Sequence, residues 1–400
     1  MVDVKPLSGV TVLDLSRVLA GPFATMILGD LGADIIKVEP PSGDDTRHWT
    51  PIVDGESVYY MSANRNKRSI VINLKDSRGR DILYKLVEKA DVFIENFRSD
   101  VPVKLGVDYD TIKSIKPDII YCSIHGFDPD SPYGGLRAAD LTIQAMSGLM
   151  DSTGVGDEPV RVSFALFDIY AGMVAAISIL AGLVRRMETG EGMKIDVNLY
   201  DTSIFSMSYI PMIYLMTGYI PRKMGSAHPS IVPYQAFRCR DGRYVAVGIF
   251  NDRMWINLCR ALGLDDLVDD DRFKTNPDRV RNRDILIPIL ESRFKEYDRD
   301  YWVQLLNKYG INVGPVYRLD EVFRDRYVVE SGIVDYINHP RLGRIPQLVF
   351  PAKLEGNRPS PSRHPPMMGE NTVDILRELG YKEEDINRLI EDGVVSTPGR

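Results

Sequence analysis

Along the first two hundred residues, short apolar runs alternate with segments whose apolar positions recur at helical spacing. Residues 10–15 (VTVLDL) form a β-rich run, and a helical stretch reaches Leu31 after a turn at Gly21-Pro22. Residues 33–39 (ADIIKVE) read as the next strand, followed by strands at 69–74, 92–95 and 119–123. Helices are predicted over 78–90 and 109–115, and residues 194–199 are a further strand candidate. This alternation predicts parallel βαβ units and an α/β fold with a doubly wound sheet. Ligands of such sheets sit beyond the carboxyl ends of the strands. Binding groups are therefore expected in the loops after Leu15, Glu39, Leu74, Glu95 and Ser123.

The texture changes near residue 220. A loop rich in Gly, Pro and charge spans 218–225, and residues 237–248 read as an antiparallel hairpin turning at Asp241-Gly242. Helices are expected over 254–262, 280–297 and 300–309, making a smaller α+β domain. The Pro-rich run at 359–366 (PSPSRHPP) reads as a linker. Two short helices close the chain, 372–379 with Gly380 as its C′ residue and 383–392 ending at Gly393. The expected domains are 1–217, 218–330, and a return segment 331–400 that completes the first.

Composition narrows the function classes. The chain has 400 residues, 44% hydrophobic and 26% charged, with a net charge of −7. These are the proportions of a soluble globular protein, and the acidic balance argues against sequence-independent nucleic-acid binding. Cys122, Cys239 and Cys259 are far apart and odd in number, and the five histidines are scattered. No disulfide framework or metal site is expected. The N-terminus lacks the features of a signal peptide, so a cytoplasmic location is expected.

Asp168 stands out. It is the only charge in residues 164–184 (FALFDIYAGMVAAISILAGLV). A carboxylate among apolar residues loses hydration, so it must cap, pair or react. Asp is a favoured N-cap, and Ile169, Met173, Ala176, Ile177, Leu180 and Val184 follow it at helical spacing. The uninterrupted apolar part, 169–184, falls short of the roughly 20 residues that a bilayer requires, and no membrane association is expected. Gly172, one turn on, is expected to leave room above the carboxylate. Several cations (residues 64–69, NRNKRS; Lys75; Arg98; Lys104) are expected in successive strand-end loops, suited to a phosphorylated ligand or else to a solvated surface. The first βα turn lacks G-x-G-x-x-G, so a dinucleotide reading is weak.

Residues 6–39, 66–69 (NKRS), 90–97 (ADVFIENF), 167–172 (FDIYAG) and 190–197 (GEGMKIDV) closely resemble the class III CoA-transferase family, also called CaiB–BaiF. The likeness continues through His228-Pro229, 271–273 (DRF), 314–316 and 376–395. It implies a Rossmann-like large domain, a smaller domain between its two parts, and a homodimer whose subunits interlock like chain links. The resemblance makes Asp168 the nucleophile. It assigns coenzyme A, as part of an acyl-CoA substrate and not as a resident cofactor, to Leu19, Ala20, Ile72, Lys75, Asn96, Phe97, Arg98, Lys104 and Arg137. The implied reaction transfers coenzyme A from an acyl-CoA to a carboxylic acid through an acyl-aspartyl anhydride and an aspartyl-CoA thioester. Backbone N–H groups at the start of the Asp168 helix are expected to stabilise the oxyanions.

Departures from the family pattern limit the reaction. The related α-methylacyl-CoA racemases carry a His-Asp dipeptide where this chain has Ala139-Asp140, and Ala cannot move a proton. Racemisation is the runner-up, and a non-catalytic CoA-binding protein is a third reading. Formyl-CoA:oxalate transferases have Gln at the position of Leu19 and a glycine run near residues 224–229 (MGSAHP), which points away from oxalate. Succinyl-CoA as donor and a larger dicarboxylate or hydroxy acid as acceptor follow from family habit. Arg47, Arg65 and Arg222 are candidate clamps for a second carboxylate. Lys104, where some relatives have Arg, keeps the charge without the forked geometry.

Overall fold

The runs read as strands assemble into one sheet, because their alternate residues supply apolar side chains to both faces. The computed structural model describes residues 5–399. Its strands are β1 (Thr11–Asp14), β2 (Asp34–Glu39), β3 (Lys67–Ile72), β4 (Val92–Glu95), β5 (Ile120–His125), β6 (Met193–Asn198) and β7 (Val395–Ser396). They lie in the order β7-β3-β2-β1-β4-β5-β6, all parallel except the antiparallel β7. The chain steps outward from β1 to β3, then returns to the other side of β1 as β4. The order reverses between β1 and β4, the place where sheets of this kind open a crevice.

The strand predicted at 69–74 begins two residues earlier. Lys67 is fully buried, and its Nζ donates to the Asp14 carboxylate at 3.1 Å, the Asn64 side chain at 2.9 Å and the Pro22 carbonyl at 3.0 Å. A cation with those partners is tolerated inside a sheet, although an apolar pattern excludes it. Lys37 is buried likewise, 2.9 Å from Asp44 and donating to the Ser16 carbonyl at 2.9 Å.

Helices α1 (Ala20–Asp30), α2 (Ser77–Lys89), α3 (Asp140–Met146) and α4 (Leu166–Thr189) flank the sheet. Ile82, Leu83, Leu86 and Val87 of α2 meet Ile375, Leu376, Ile386 and Leu389 from helices Thr372–Glu378 and Glu383–Glu391 in one core. Helix α4 is long and apolar enough to cross a membrane by length and composition. Here Phe167, Ala171, Ala175, Ile179 and Leu183 are buried, and Gly182 sits against Ile120 and Met193 of the sheet. The run at 359–366 is not a free linker. Asn66 takes hydrogen bonds from the backbone of Ser362 and Arg363 and donates its own N–H to the Arg363 carbonyl. A hairpin of strands Val334–His339 and Gly343–Leu348 precedes it, unpredicted because polar Gln347 is buried while Leu348 is exposed, so residue type does not follow burial.

The chain divides into two compact units. The larger comprises residues up to 147, 162–208 and 326 onward. The smaller comprises 148–161 and 209–325. In the smaller unit, strands Tyr234–Arg238, Tyr244–Gly248 and Asn312–Pro315 form an antiparallel sheet. Helices Asp252–Leu262, Arg283–Phe294 and Arg299–Lys308 pack on it through Trp255, Phe294 and Trp302. The helix expected over 280–297 is interrupted at Asn282, so that Arg283 opens a new helix.

Candidate active site

Asp168 is the third residue of α4, not its N-cap; Ala165 holds that position and supplies no side-chain cap. The cap comes from Asp140 at the start of α3. Its Oδ1 accepts the N–H groups of Phe167 at 2.7 Å and Asp168 at 3.4 Å. Its Oδ2 accepts the Gln144 amide at 2.5 Å, and the Gln144 carbonyl oxygen accepts the Val162 N–H at 2.9 Å. The Leu166 N–H donates to Phe164. The first N–H groups of α4 are thus engaged, which removes them as donors to a reaction oxyanion.

The Asp168 carboxylate has no hydrogen-bond or ion-pair partner among the described residues and is half-buried. Lost hydration, and then the nearby Asp140 carboxylate, push its pKa up to about 7. The N-terminal turn of a helix favours negative charge, so these two effects act against the helix field. Tyr59 lies within the field of both carboxylates, and its ring meets Trp49 edge-on at 5.0 Å. The space expected above Asp168 at Gly172 is filled: a Cβ there would lie 2.6 Å from the Ala20 carbonyl oxygen of α1. Gly172 permits a close helix crossing, which joins the Asp168 helix to the loop after β1.

A cleft of about 540 Å³ opens at the carboxyl ends of the strands. Leu15 and Arg17 follow β1, Pro40 and Pro41 follow β2, Ile72 ends β3 and Lys75 lies in the turn after it, and Phe97 and Leu105 follow β4. Asn96 ties the two loops of the switch point together. Its Oδ1 accepts the Arg17 N–H at 2.8 Å and its Nδ2 donates to the Arg17 carbonyl at 2.7 Å. The turn out of β1 continues through Val18, a non-glycine residue at φ 68° held by a 3.3 Å bond from its N–H to Asp44. Leu19 and Ala20 follow, and the N–H groups of Leu19, Ala20 and Gly21 have no acceptor among the described residues.

Of the positions singled out in the sequence, Ile72, Lys75 and Phe97 line this cleft, while Asn96 braces it from behind. Leu19 and Ala20 are buried at the start of α1. Arg98 and Lys104 both reach Asp100 on the surface, at 3.4 and 2.6 Å, and Arg137 is exposed in a separate loop. Asp168 does not line the cleft. The cations at residues 65–68 precede or open β3 and do not reach the ligand ends of the strands. Arg65 pairs with Asp30 at 2.5 Å, and Arg68 pairs with Asp34 and Glu378. Arg47 is held by Glu39, Tyr60 and the Pro366 carbonyl. Neither Arg47 nor Arg65 is free to clamp a substrate. Arg222 has no partner among the described residues.

A family model described as CoA-transferase family III matches residues 7–372. The chain belongs to CoA-transferase family III. It is 43% identical to the human succinyl-CoA:glutarate CoA-transferase, over 99% of this chain and 91% of that one. Identity is 33% to the succinyl-CoA:mesaconate CoA-transferase of Haloarcula marismortui, over 96% and 99%. A CAIB/BAIF family protein from Brucella suis superposes with a TM-score of 0.83 at 39% identity, covering 94% of this chain and 99% of that one.

For a CoA-transferase, the residues that sequence reasoning missed are Arg17, Pro40 and Pro41 in the cleft, and Asp140 and Tyr59 beside Asp168. Asp140 was legible only as the partner of an absent histidine. Tyr59 lies in the single-turn helix Val58–Met61, too short to carry a periodic signal. His125 is near Asp196, at 3.5 Å, and offers this transferase no second base next to Asp168.

Proposed function

We propose that this CoA-transferase moves coenzyme A from succinyl-CoA to a small dicarboxylic acid, with Asp168 as the covalent nucleophile. The observation that carries the reading is a half-buried carboxylate with no cation beside it, poised near pH 7. An ion-paired Asp would be a poor nucleophile, and a fully hydrated one would admit water to its intermediates. The relatives named for glutarate and mesaconate support the choice of acids.

The Asp168 carboxylate attacks the thioester carbonyl, the C–S bond breaks, and coenzyme A leaves as a thiolate from an acyl-aspartyl anhydride. The thiolate then attacks the aspartyl carbonyl, releasing the donor acid and leaving an aspartyl thioester. The acceptor carboxylate attacks that thioester to form a second anhydride, and the thiolate finally takes the acceptor acyl group, restoring Asp168. Each step exchanges one acyl bond for another, so no free energy is lost to hydrolysis. The unoccupied N–H groups of Leu19, Ala20 and Gly21 are the oxyanion donors in this scheme. The strand-end cleft takes the coenzyme, with Lys75 and Arg17 toward phosphate and Phe97 toward the adenine. Coenzyme A is a substrate, and the chemistry needs neither a resident cofactor nor a metal.

The active form in this reading is a homodimer with interlocked subunits. Apolar side chains that need cover support it: in the larger unit Met187 is 86% and Phe205 81% exposed. In the smaller unit, helix Tyr209–Thr217 buries no residue.

The test is incubation with succinyl-CoA, a hydroxylamine quench and peptide mass spectrometry. Label on Asp168, and loss of exchange by at least about a thousandfold in Asp168→Asn, are the expected results. Full exchange by that variant would end the reading.

A further inference from the structure

The smaller unit contains two adjoining grooves, of about 400 and 340 Å³, that share Arg222, Met224, Arg283 and Asp284 in their walls. Arg283, in the first turn of helix Arg283–Phe294, is pinned by one nitrogen. Its Nη2 donates to the carbonyls of His228 at 2.7 Å and Pro229 at 3.1 Å. Its Nε and Nη1 have no acceptor among the described residues, and the Arg222 guanidinium likewise has none among them. Burial, and then the Arg222 charge on the same groove walls, disfavour the charge on Arg283, and Asp284 offsets part of that.

The unit's buried arginines are treated differently. Arg279 reaches Asp252 at 3.0 Å, and Arg299 reaches Glu321 at 3.0 Å. Arg281, in the same groove, pairs with Asp278. Asp284 and Glu291 stand on the groove walls without an ion pair to either Arg222 or Arg283. Two neighbouring cations without an ion pair to either repel, and an oxyanion bridging the two guanidinium groups removes that repulsion. Ile213, Tyr219, Ile287 and Pro288 beside them offer apolar surface for a short carbon chain.

We propose that Arg222 and Arg283 form a carboxylate-binding site in the smaller unit, taking one end of a small dicarboxylic acid. The site rests on the transferase reading only for the choice of glutarate as the probe. Free phosphate would use the same forks, so it serves as the competing arm.

Calorimetric titration of the full chain with glutarate, butyrate and inorganic phosphate tests the site. Glutarate is expected to bind more tightly than butyrate or phosphate. Arg222→Ala should weaken glutarate at least tenfold, with the melting temperature unchanged because Arg222 is exposed. Arg283→Ala tests the second fork, and Arg222→Ala keeps the result decisive if loss of the carbonyl bonds unfolds that variant. Unchanged glutarate binding in Arg222→Ala, no glutarate binding by the unaltered protein, or tighter binding of phosphate would each overturn the proposal. Asp168→Asn should bind glutarate normally, which separates this outcome from failure of the aspartyl mechanism.

Discussion

Asp140 caps the helix that carries Asp168 and, by the same placement, sets a second carboxylate against it. The bond from the Phe167 N–H to Asp140 Oδ1, 2.7 Å long, fixes the start of the helix. The Coulomb repulsion adds to lost hydration in raising Asp168 to about 7. One side chain thus ties position to protonation state. The nucleophile is the ionised form, so the pKa sets how much of the enzyme is ready to react.

The first anhydride-forming step should therefore speed up as pH rises through about 7 and level off above it. Asp140→Asn keeps an oxygen for the cap and removes the charge, so the midpoint should move to lower pH. Single-turnover rates of thiolate release against pH give both curves. A midpoint unmoved in Asp140→Asn would separate the two roles.

Stability carries the opposite sign. The folded pKa of Asp168, about 7, lies above the ordinary value of 3.8. Its contribution is fully present below pH 3.8 and is lost as pH rises through about 7. Asp168→Asn removes this loss. The variant should gain a few degrees of melting temperature over the unaltered protein at pH 8, with the gain shrinking toward pH 4. Thermal melts across that range measure the difference.

Asn96 links the loops on either side of the switch point through two bonds to the Arg17 backbone, 2.8 and 2.7 Å. Asn96→Ala should loosen the cleft rather than the reacting centre. The expected signature is a KM for acyl-CoA raised about tenfold, the equivalent of ~1.4 kcal/mol, with kcat changed far less. Steady-state kinetics with the acyl-CoA varied distinguishes the two parameters.

Gly172 is a packing requirement. A Cβ would come within 2.6 Å of the Ala20 carbonyl oxygen, and a backbone atom in a helix cannot step aside. Gly172→Ala should destabilise by about 1–3 kcal/mol and shift Asp168 relative to the Leu19–Ala20 turn. Denaturant unfolding measures the first effect, and the yield of the Asp168 adduct measures the second.

Much of the larger unit was legible because parallel strands buried on both faces read as short apolar runs. β4 and the helix Tyr109–Ile115 fall where the pattern put them. The start of β3 was hidden because Lys67 is inside the sheet, where charge pairing overrides apolar patterning. The basic run 64–69 read as either solvated surface or ligand-binding surface, and not as buried ion pairs, because a sequence shows cations without their partners. Asp30, Asp34 and Glu378 come from distant positions.

What the sequence determined by itself is the alternation of strands and helices that builds the parallel sheet, the lone charge at Asp168 in an apolar helix, and the family. Those depend on local periodicity and on residue identity, which neighbours along the chain express directly. The tertiary structure decided who caps that helix, which arginines remain unpaired, and why Gly172 has no side chain. Each of these is a contact between residues far apart in sequence, set by the packing of helices and loops on the sheet, and no spacing along the chain encodes it.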